Sequence, residues 1–133
     1  MSLGTTSGEC GSNEADYGYI HASAPIDLCD YHDYGFNTSP MSNTDPYNGL
    51  QVSLDRCHAA GKAFFVGEVG LDAWSLNPPT TARRATLFTS KLWAQFRAGS
   101  VGELIWRWSP AYHPEQGQEV ASGDPALDLL TEY

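Results

Sequence analysis

The sequence has few basic residues and no cluster of them. Lysine and arginine together number 7 against 16 aspartate and glutamate residues, and the formal net charge is −9. Proteins that bind nucleic acids or anionic membrane surfaces use positively charged patches, and this chain does not have one. We therefore expect neither nucleic acid nor a membrane as a partner, and a neutral or cationic ligand fits the charge better.

Long apolar segments and metal-type cysteine spacing are also missing. No apolar run reaches the ~18 residues that a membrane-spanning helix requires, and no basic segment followed by an apolar one marks a secretory leader. The three cysteines, Cys10, Cys29 and Cys57, do not have the spacing of a metal site, and an odd number cannot pair completely within one chain. We expect neither a metal nor a cofactor.

Aromatic residues, in contrast, are plentiful. Four tryptophans and seven tyrosines are present, and many of them lie in stretches that have the composition of loops rather than of apolar cores. Aromatic rings in loops favour a ligand that stacks on them, such as a sugar.

Residues 61–70 form the clearest predicted strand. A continuous apolar run over residues 63–66 lies between glycines, which is typical of a strand buried on both faces of a parallel sheet. Glu68 lies at the C-terminal end of this run, where α/β barrels carry their catalytic residues. The pattern indicates a parallel α/β sheet with a candidate catalytic carboxylate, although a solvated loop glutamate fits the same position.

The flanking segments predict two further strands and several helices. Alternation along a strand over residues 26–34 places His32 and Tyr34 on one face at its C-terminal end, either as functional groups or as hydrogen-bonded residues without a chemical role. A third strand over residues 101–108 carries Trp106. Helices are predicted over residues 46–60, from residue 80 or 81 to residue 97, and after the Asp124-Pro125 pair. Residues 4–24 have no periodicity and predict a long loop.

The spacing of these strands is regular. Residues 32, 68 and 106 lie 36 and 38 positions apart, compared with the ~31 residues per unit of an eight-unit barrel of ~250 residues. A chain of 133 residues is too short for a complete barrel. The predicted fold class is α/β, a partial (half) TIM (β/α)8 barrel with about the last three to four βα units. It forms a single domain, with a leading loop over residues 1–24 and three βα units over residues 25–133.

Three short motifs carry a family resemblance. In chain order they are His32-Asp33-Tyr34, Val66-Gly67-Glu68-Val69-Gly70 and Leu104-Ile105-Trp106. In order and spacing they are similar to the ends of the last three strands of clan A glycoside hydrolases, and family five, the cellulase and β-mannanase group, looks most similar. The resemblance covers residues 25–108 well and the flanks weakly.

The resemblance implies a role for each of these side chains. Glu68 corresponds to the nucleophile of a retaining glycosidase, and Tyr34 donates a hydrogen bond that orients it. His32 offers a ring nitrogen to a substrate hydroxyl or to the carboxylate. Trp106 forms the floor of the sugar subsite at the cleavage point. Trp74 and Tyr112 are candidates for extending the aromatic surface to neighbouring subsites.

The chain departs from the family in the part that supplies the acid/base glutamate. That residue follows an asparagine on the fourth strand of the family, and no Asn-Glu pair in strand context occurs here. The Asn13-Glu14 pair lies in a glycine- and serine-rich segment, too close to the His32 motif to belong to the fourth strand. We therefore expect the C-terminal half of a barrel with half of its active site.

Two functions follow from this expectation. The first is the C-terminal part of a secreted endo-β-glycosidase that hydrolyses β-1,4-linked polysaccharide and lacks the acid/base half. The second is a non-catalytic half-barrel that binds sugar or serves as a structural module. The expected ligand is a β-linked oligosaccharide or polysaccharide. The open sheet also requires a protein partner that covers it, either a second copy of the chain or the missing N-terminal half.

The cysteines leave two alternatives open. Cys29 lies on the strand face opposite His32 and Tyr34, and Cys57 lies on the helix stripe that faces that strand. The two residues either remain buried free thiols or form a bond with each other, which would suit a secreted protein, and Cys10 stays free in both cases.

Overall fold

A three-stranded parallel sheet lies at the centre of the fold. The computed structural model describes residues 14–35, 41, 49–110 and 117–131. Its strands are β1 (Leu28–Asp33), β2 (Ala63–Val69) and β3 (Ser100–Ile105), which lie in the order β1-β2-β3. Both neighbouring pairs are parallel, which confirms the predicted α/β class.

Helices precede and connect these strands. Helix α1 (Glu14–Ala22) comes before the sheet, α2 (Leu50–Ala59) lies between β1 and β2, and α3 (Thr81–Ala98) lies between β2 and β3. Short 3-10 helices cover Ala73–Ser75 and Pro125–Thr131, the latter where the sequence predicts a final helix. None of the helices in the described ranges is long and apolar enough to cross a membrane.

Local signals set the ends of α3. The Thr80 hydroxyl accepts a hydrogen bond from the Arg83 backbone N–H at 3.0 Å, so Thr80 is the N-cap. Gly99 ends the helix with a φ of 117°, a left-handed conformation that glycine adopts without steric cost. Helix α2 begins after Gly49, and residues 46–48 of the predicted helix lie outside the described residues.

The prediction of a loop over residues 1–24 is wrong for its last part, because α1 forms there. Apolar residues do not recur at helical spacing along α1, so the sequence pattern does not predict this helix. Its buried residues make tertiary contacts instead. Tyr17 and His21, one turn apart, are 4% and 1% exposed, and their rings lie 4.0 Å apart. Lys62 secures the end of the helix by donating to the backbone oxygens of His21 and Ser23, the latter at 2.7 Å.

The helices of the described ranges cover one face of the sheet. Phe64, Val66 and Val69 of β2 are fully buried on the face that packs against the helices. On the opposite face Phe65 is half-buried and Ala63 is exposed, so burial of this strand on both faces, as the apolar run predicts, is not observed. The described part of the chain places no second layer over that face.

A disulfide joins the sheet to its helix layer. Cys29 of β1 and Cys57 of α2 are bonded, with their Cα atoms 6.0 Å apart. Both residues are almost completely buried. The bonded alternative is therefore the one observed, and it confirms that these two side chains face each other. Cys10 lies outside the described residues.

We expect loss of this bond to destabilise the fold. The disulfide closes a loop with a sequence separation of 28 residues, and a bond of this kind typically stabilises a protein by about 2–4 kcal/mol. Cys57→Ala should lower the free energy of unfolding by an amount in this range in urea titrations. Cys10→Ser is the matched control and should leave it unchanged, and equal effects of the two substitutions would contradict the pairing.

A buried carboxyl lies between β3 and α3. Both carboxyl oxygens of Glu103 are inaccessible to solvent and have no hydrogen-bond partner among the described residues. Burial and, to a smaller extent, the nearby Asp33 carboxylate raise the pKa of Glu103 from its ordinary 4.5 to about 9, and the Lys91 ammonium opposes this rise. Glu103 therefore remains protonated in the folded protein at neutral pH.

This raised pKa predicts a pH-dependent stability. The unfolded chain releases the Glu103 proton above pH 4.5 and the folded chain retains it up to about pH 9, so the unfolded state binds fewer protons and stability falls as pH rises through this window. Glu103→Gln should flatten that decline in urea titrations from pH 5 to 9. Asp128→Asn, which removes one charge from an exposed site, should leave the decline in place. A decline that persists in Glu103→Gln would contradict the assignment.

Candidate functional site

The C-terminal ends of β1 and β2 bring together three of the predicted site residues. The Tyr34 hydroxyl donates a short hydrogen bond to Oε2 of Glu68. Nδ1 of His32 lies 3.3 Å from the same oxygen, although the contact is not aligned as a hydrogen bond. The Glu68 side chain is 26% exposed and that of His32 is 10% exposed. The result is a carboxylate that is oriented by the Tyr34 hydroxyl, flanked by the His32 ring and partly exposed to solvent.

A β-bulge decides the direction in which Glu68 points. Strict alternation along β2 places Glu68 on the helix-facing side with Phe64 and Val66. The pairing with β1, however, passes from Tyr31–Val66 directly to His32–Glu68 and skips Gly67. The extra residue turns Glu68 to the face of His32, as bulges beside functional sites commonly do. The signal that sequence reasoning missed is the glycine inside the strand.

Asp30 is a site residue that the sequence analysis did not select. Its side chain is nearly fully buried, and its Oδ1 accepts a hydrogen bond from the Gly67 backbone N–H at 3.0 Å. Its Oδ2 lies 3.7 Å from Nε2 of His32. The imidazole of His32 thus has a carboxylate on each side, Asp30 at one nitrogen and Glu68 at the other. The available signal is that Asp30 shares a strand face with His32, two residues away.

The backbone of Trp106 lies near this group, whereas its side chain lines a cavity whose lining does not include Glu68, His32 or Tyr34. Its backbone N–H donates to the Val69 oxygen at 2.8 Å, which continues the pairing of β2 and β3 beyond the end of β3. A Cβ atom on Gly70 would lie 2.5 Å from the Tyr34 ring and 3.6 Å from the Trp106 carbonyl oxygen, so Gly70 allows the two residues to approach. The Trp106 side chain is 39% exposed. It lines an open cavity of about 350 Å³ together with Asp72 and residues 117–119.

Trp74 lies in a neighbouring cleft rather than in the same cavity. The short 3-10 helix that carries it is capped by Asp72, whose Oδ1 accepts from the Trp74 backbone N–H at 2.9 Å. Trp74 is 43% exposed and lines an open cleft of about 550 Å³ with residues 79–81 and 121–124. Gly117 lines the cavity of Trp106 and packs against both Asp72 and Trp74. Tyr112 lies outside the described residues.

A buried arginine holds the segment over residues 117–124, of which residues 117–119 line the cavity and residues 121–124 line the cleft. Arg84 of α3 is completely buried; it donates to the backbone oxygens of Gly117 and Glu119 and pairs with the Asp124 carboxylate. Glu119 in turn accepts from Arg107 at 2.7 Å. The segment over residues 117–124 is therefore attached to α3 by charged hydrogen bonds. The sequence offered no periodic signal for this attachment, since an arginine on a helix is usually solvated.

The described residues contain no group of three or more His, Cys, Asp or Glu side chains arranged to hold a metal ion. Glu68, His32 and Tyr34 form an oriented carboxylate with two neighbouring polar rings. Such a carboxylate can act as a nucleophile or as a general base toward a ligand that enters from its exposed side.

Comparisons with known proteins show a likeness in fold. No protein-family model matches the sequence, and no curated protein matches it. Among solved structures, the endo-β-1,4-mannanase from Thermotoga petrophila matches with a TM-score of 0.60 and 16% sequence identity. In fold, the chain is similar to part of that enzyme. The match covers 89% of this chain and 28% of the mannanase chain, so this chain spans little more than a quarter of its structural relative.

Proposed function

We propose that this chain supplies the nucleophile side of a retaining endo-β-glycosidase that cleaves a β-1,4-linked polysaccharide. The observation that carries the proposal is the contact of Glu68 with Tyr34 and His32 at the ends of adjacent parallel strands. A donated hydrogen bond fixes the orientation of a carboxylate, which an attacking group requires. The likeness in fold to a mannanase supports a β-mannan as the first substrate to test, with cellulose as the second.

In the proposed reaction Glu68 attacks the anomeric carbon of the sugar. The bond between this carbon and the glycosidic oxygen breaks, and that oxygen keeps the electron pair and takes a proton from a general acid. Water then hydrolyses the glycosyl ester on Glu68 and restores the free carboxylate. The general acid must lie about 5–5.5 Å from the nucleophile. We assign it to a carboxyl group outside this chain, on the N-terminal half of a barrel.

Trp106 and Trp74 fit the binding of a sugar chain. The exposed side chain of Trp106, whose backbone lies near Tyr34, offers an apolar surface on which the C–H groups of a pyranose ring stack. Trp74 lines the adjoining cleft and is placed to contact a second sugar unit. We assign Trp106 to the subsite at the cleavage point, and Trp74 and Tyr112 to neighbouring subsites.

The uncovered sheet face supports the idea of a partial barrel. Leu104 of β3 is 59% exposed on the face opposite the helices, since its neighbours Glu103 and Ile105 pair with the helix-facing Val66 and Val69. Val101 on the same strand is 63% exposed, and apolar side chains of this kind fill the interior of a closed barrel. We infer that the remaining strands of a barrel, or a second copy of this chain, cover them. The same observation favours the second candidate function, a non-catalytic sugar-binding or structural module that oligomerises.

An activated fluorosugar tests the role of Glu68. The reagent is an aryl β-mannoside with fluorine beside the anomeric carbon and a dinitrophenyl leaving group, which departs without protonation and so bypasses the general acid. We expect mass spectrometry to detect a glycosyl adduct on Glu68, no adduct in Glu68→Gln and slower labelling in Tyr34→Phe. Unactivated β-1,4-linked manno-oligosaccharides should not be hydrolysed, since loss of general acid catalysis costs about 10²–10⁴-fold in rate.

Two outcomes would contradict this assignment. An adduct on a different carboxylate, or none at all, would exclude Glu68 as the nucleophile. Calorimetric binding of manno-oligosaccharide that Trp106→Ala weakens, without any adduct, would favour the non-catalytic module. Turnover of an unactivated oligosaccharide that Glu68→Gln abolishes would show that the chain has a complete active site.

Self-association tests the covering of the sheet. We expect the isolated chain to sediment as a dimer or larger oligomer at micromolar concentration, because association buries Val101 and Leu104. Leu104→Lys should shift the chain toward monomer. Leu130→Lys is a matched control, since Leu130 is 63% exposed but belongs to the C-terminal 3-10 helix, and it should leave the distribution unchanged. A well-folded wild-type monomer would contradict the inference.

A further inference from the structure

The Asp30 carboxyl lies beneath Glu68 at the one irregular point of the β1–β2 pairing. Asp30 is 3% exposed and shares a face of β1 with His32. A buried carboxylate requires partners, because water no longer solvates its charge. The partners found here are the Gly67 backbone N–H and the edge of the His32 ring.

The hydrogen bond from Gly67 to Asp30 satisfies the backbone group that the bulge leaves without a strand partner. The register with β1 skips Gly67, and its N–H donates instead to Oδ1 of Asp30 at 3.0 Å. Gly67 is the residue immediately before Glu68. Any movement of this peptide is therefore transmitted directly to the carboxylate of the proposed nucleophile.

Asp30 and Gly67 also interlock sterically. A Cβ atom on residue 67 would lie 2.2 Å from Oδ1 of Asp30, well inside van der Waals contact. Only glycine at position 67 therefore allows the Asp30 carboxylate to reach the bulge. A larger residue at position 67 would displace the carboxylate and break the hydrogen bond that it accepts.

Helix α1 holds the backbone of Asp30 from the other side. The Tyr17 hydroxyl donates to the Asp30 carbonyl oxygen at 3.0 Å, and the Asp30 N–H donates to Nε2 of His21 at 3.4 Å. Nδ1 of His21 lies 2.9 Å from the Tyr17 carbonyl oxygen, so the hydrogen-bond network assigns the His21 proton to Nδ1. Asp30 is thus attached to a buried part of the fold that is separate from the open site.

We propose that Asp30 is a positioning residue that stabilises the bulge at Gly67 and so directs Glu68 toward His32 and Tyr34. The role of Glu68 as a nucleophile rests on the proposed function, whereas the direction in which Glu68 points does not. Asp30 reaches Glu68 through the Gly67 peptide and through the ring of His32, and it does not itself contact substrate.

Nuclear magnetic resonance on the isotope-labelled chain tests this role. Two signals report it: the hydrogen exchange rate of the Gly67 amide, and the nuclear Overhauser effect between the Tyr34 ring and the Glu68 side chain. In Asp30→Ala we expect Gly67 exchange to accelerate at least about tenfold, as for loss of a hydrogen bond to a charged acceptor, and the Tyr34–Glu68 effect to disappear. Asp30→Asn retains an oxygen at the same place and should keep both signals near wild type.

The exchange rates of Val66 and Val69 separate a local change from global loosening. These residues flank the bulge and pair with β1 in the regular ladder, so their exchange should change much less than that of Gly67. Unchanged Gly67 exchange together with an intact Tyr34–Glu68 effect in Asp30→Ala would overturn the proposal. Equal acceleration at all three amides would also overturn it, since it would indicate a general contribution to stability.

Gly67→Ala provides an independent test if Asp30→Ala does not fold. This substitution should displace the Asp30 carboxylate and weaken the Tyr34–Glu68 effect. The destabilisation that it causes should be smaller when Asp30 is already alanine, because the clash is then absent. Additive effects of the two substitutions on stability would contradict the interlocking. None of these measurements involves a glycan, so a failed labelling of Glu68 would refute the proposed nucleophile without affecting them.

Discussion

The β-bulge at Gly67 is the constraint on which the candidate site depends. A regular β2 would direct Glu68 into the helix-facing core, where Phe64 and Val66 leave no room for a solvated carboxylate. Skipping one residue in the pairing turns the side chain to the opposite face and places it against Tyr34 and His32. Because side chains alternate with a period of two residues, a shift of one residue is enough to convert a core position into a site position.

The two faces of the sheet have different roles. The helix-facing side contains the apolar core, the Cys29–Cys57 disulfide and the pairing of Asp33 with Lys91 at 2.8 Å and Gln95 at 2.7 Å. The opposite side carries the polar site at the carboxyl ends of the strands and exposed apolar residues below it. Asp33 connects the two faces of the sheet. It lies between His32 and Tyr34 in sequence, but its side chain pairs with α3 on the helix-facing side.

Buried charges hold the irregular segments around the site. Arg84 attaches residues 117–124 to α3, and Lys91 attaches the end of β1 to the same helix. Removing one partner of a buried ion pair typically costs about 3–5 kcal/mol, because the remaining charge is left without compensation. Helix α3 therefore acts as a rigid support for two separate segments, one beneath Tyr34 and one beside Trp74. The geometry of the site thus depends on residues of α3 that do not line it.

The amino-acid sequence by itself determined the order and type of the main elements. The apolar run before Glu68 and the helical spacing that begins at residue 80 or 81 are local signals, and from such signals three parallel strands and two connecting helices were predicted in the observed order. Alternation in β1 correctly put His32 and Tyr34 on one face and Cys29 on the other. These features depend on neighbouring residues, so a linear reading captures them.

Only the tertiary structure decided the direction of Glu68, the contacts of Asp30 and the existence of α1. Strict alternation gives the wrong face for Glu68, because a bulge interrupts β2 at Gly67, whose N–H is bonded to Asp30 on a different strand. Helix α1 lacks an apolar stripe and forms against Asp30 and Lys62, which are distant in sequence. The buried position of Arg84 likewise arises from partners more than 30 residues away. Contacts between distant residues leave no periodic trace, and for that physical reason the sequence alone did not reveal them.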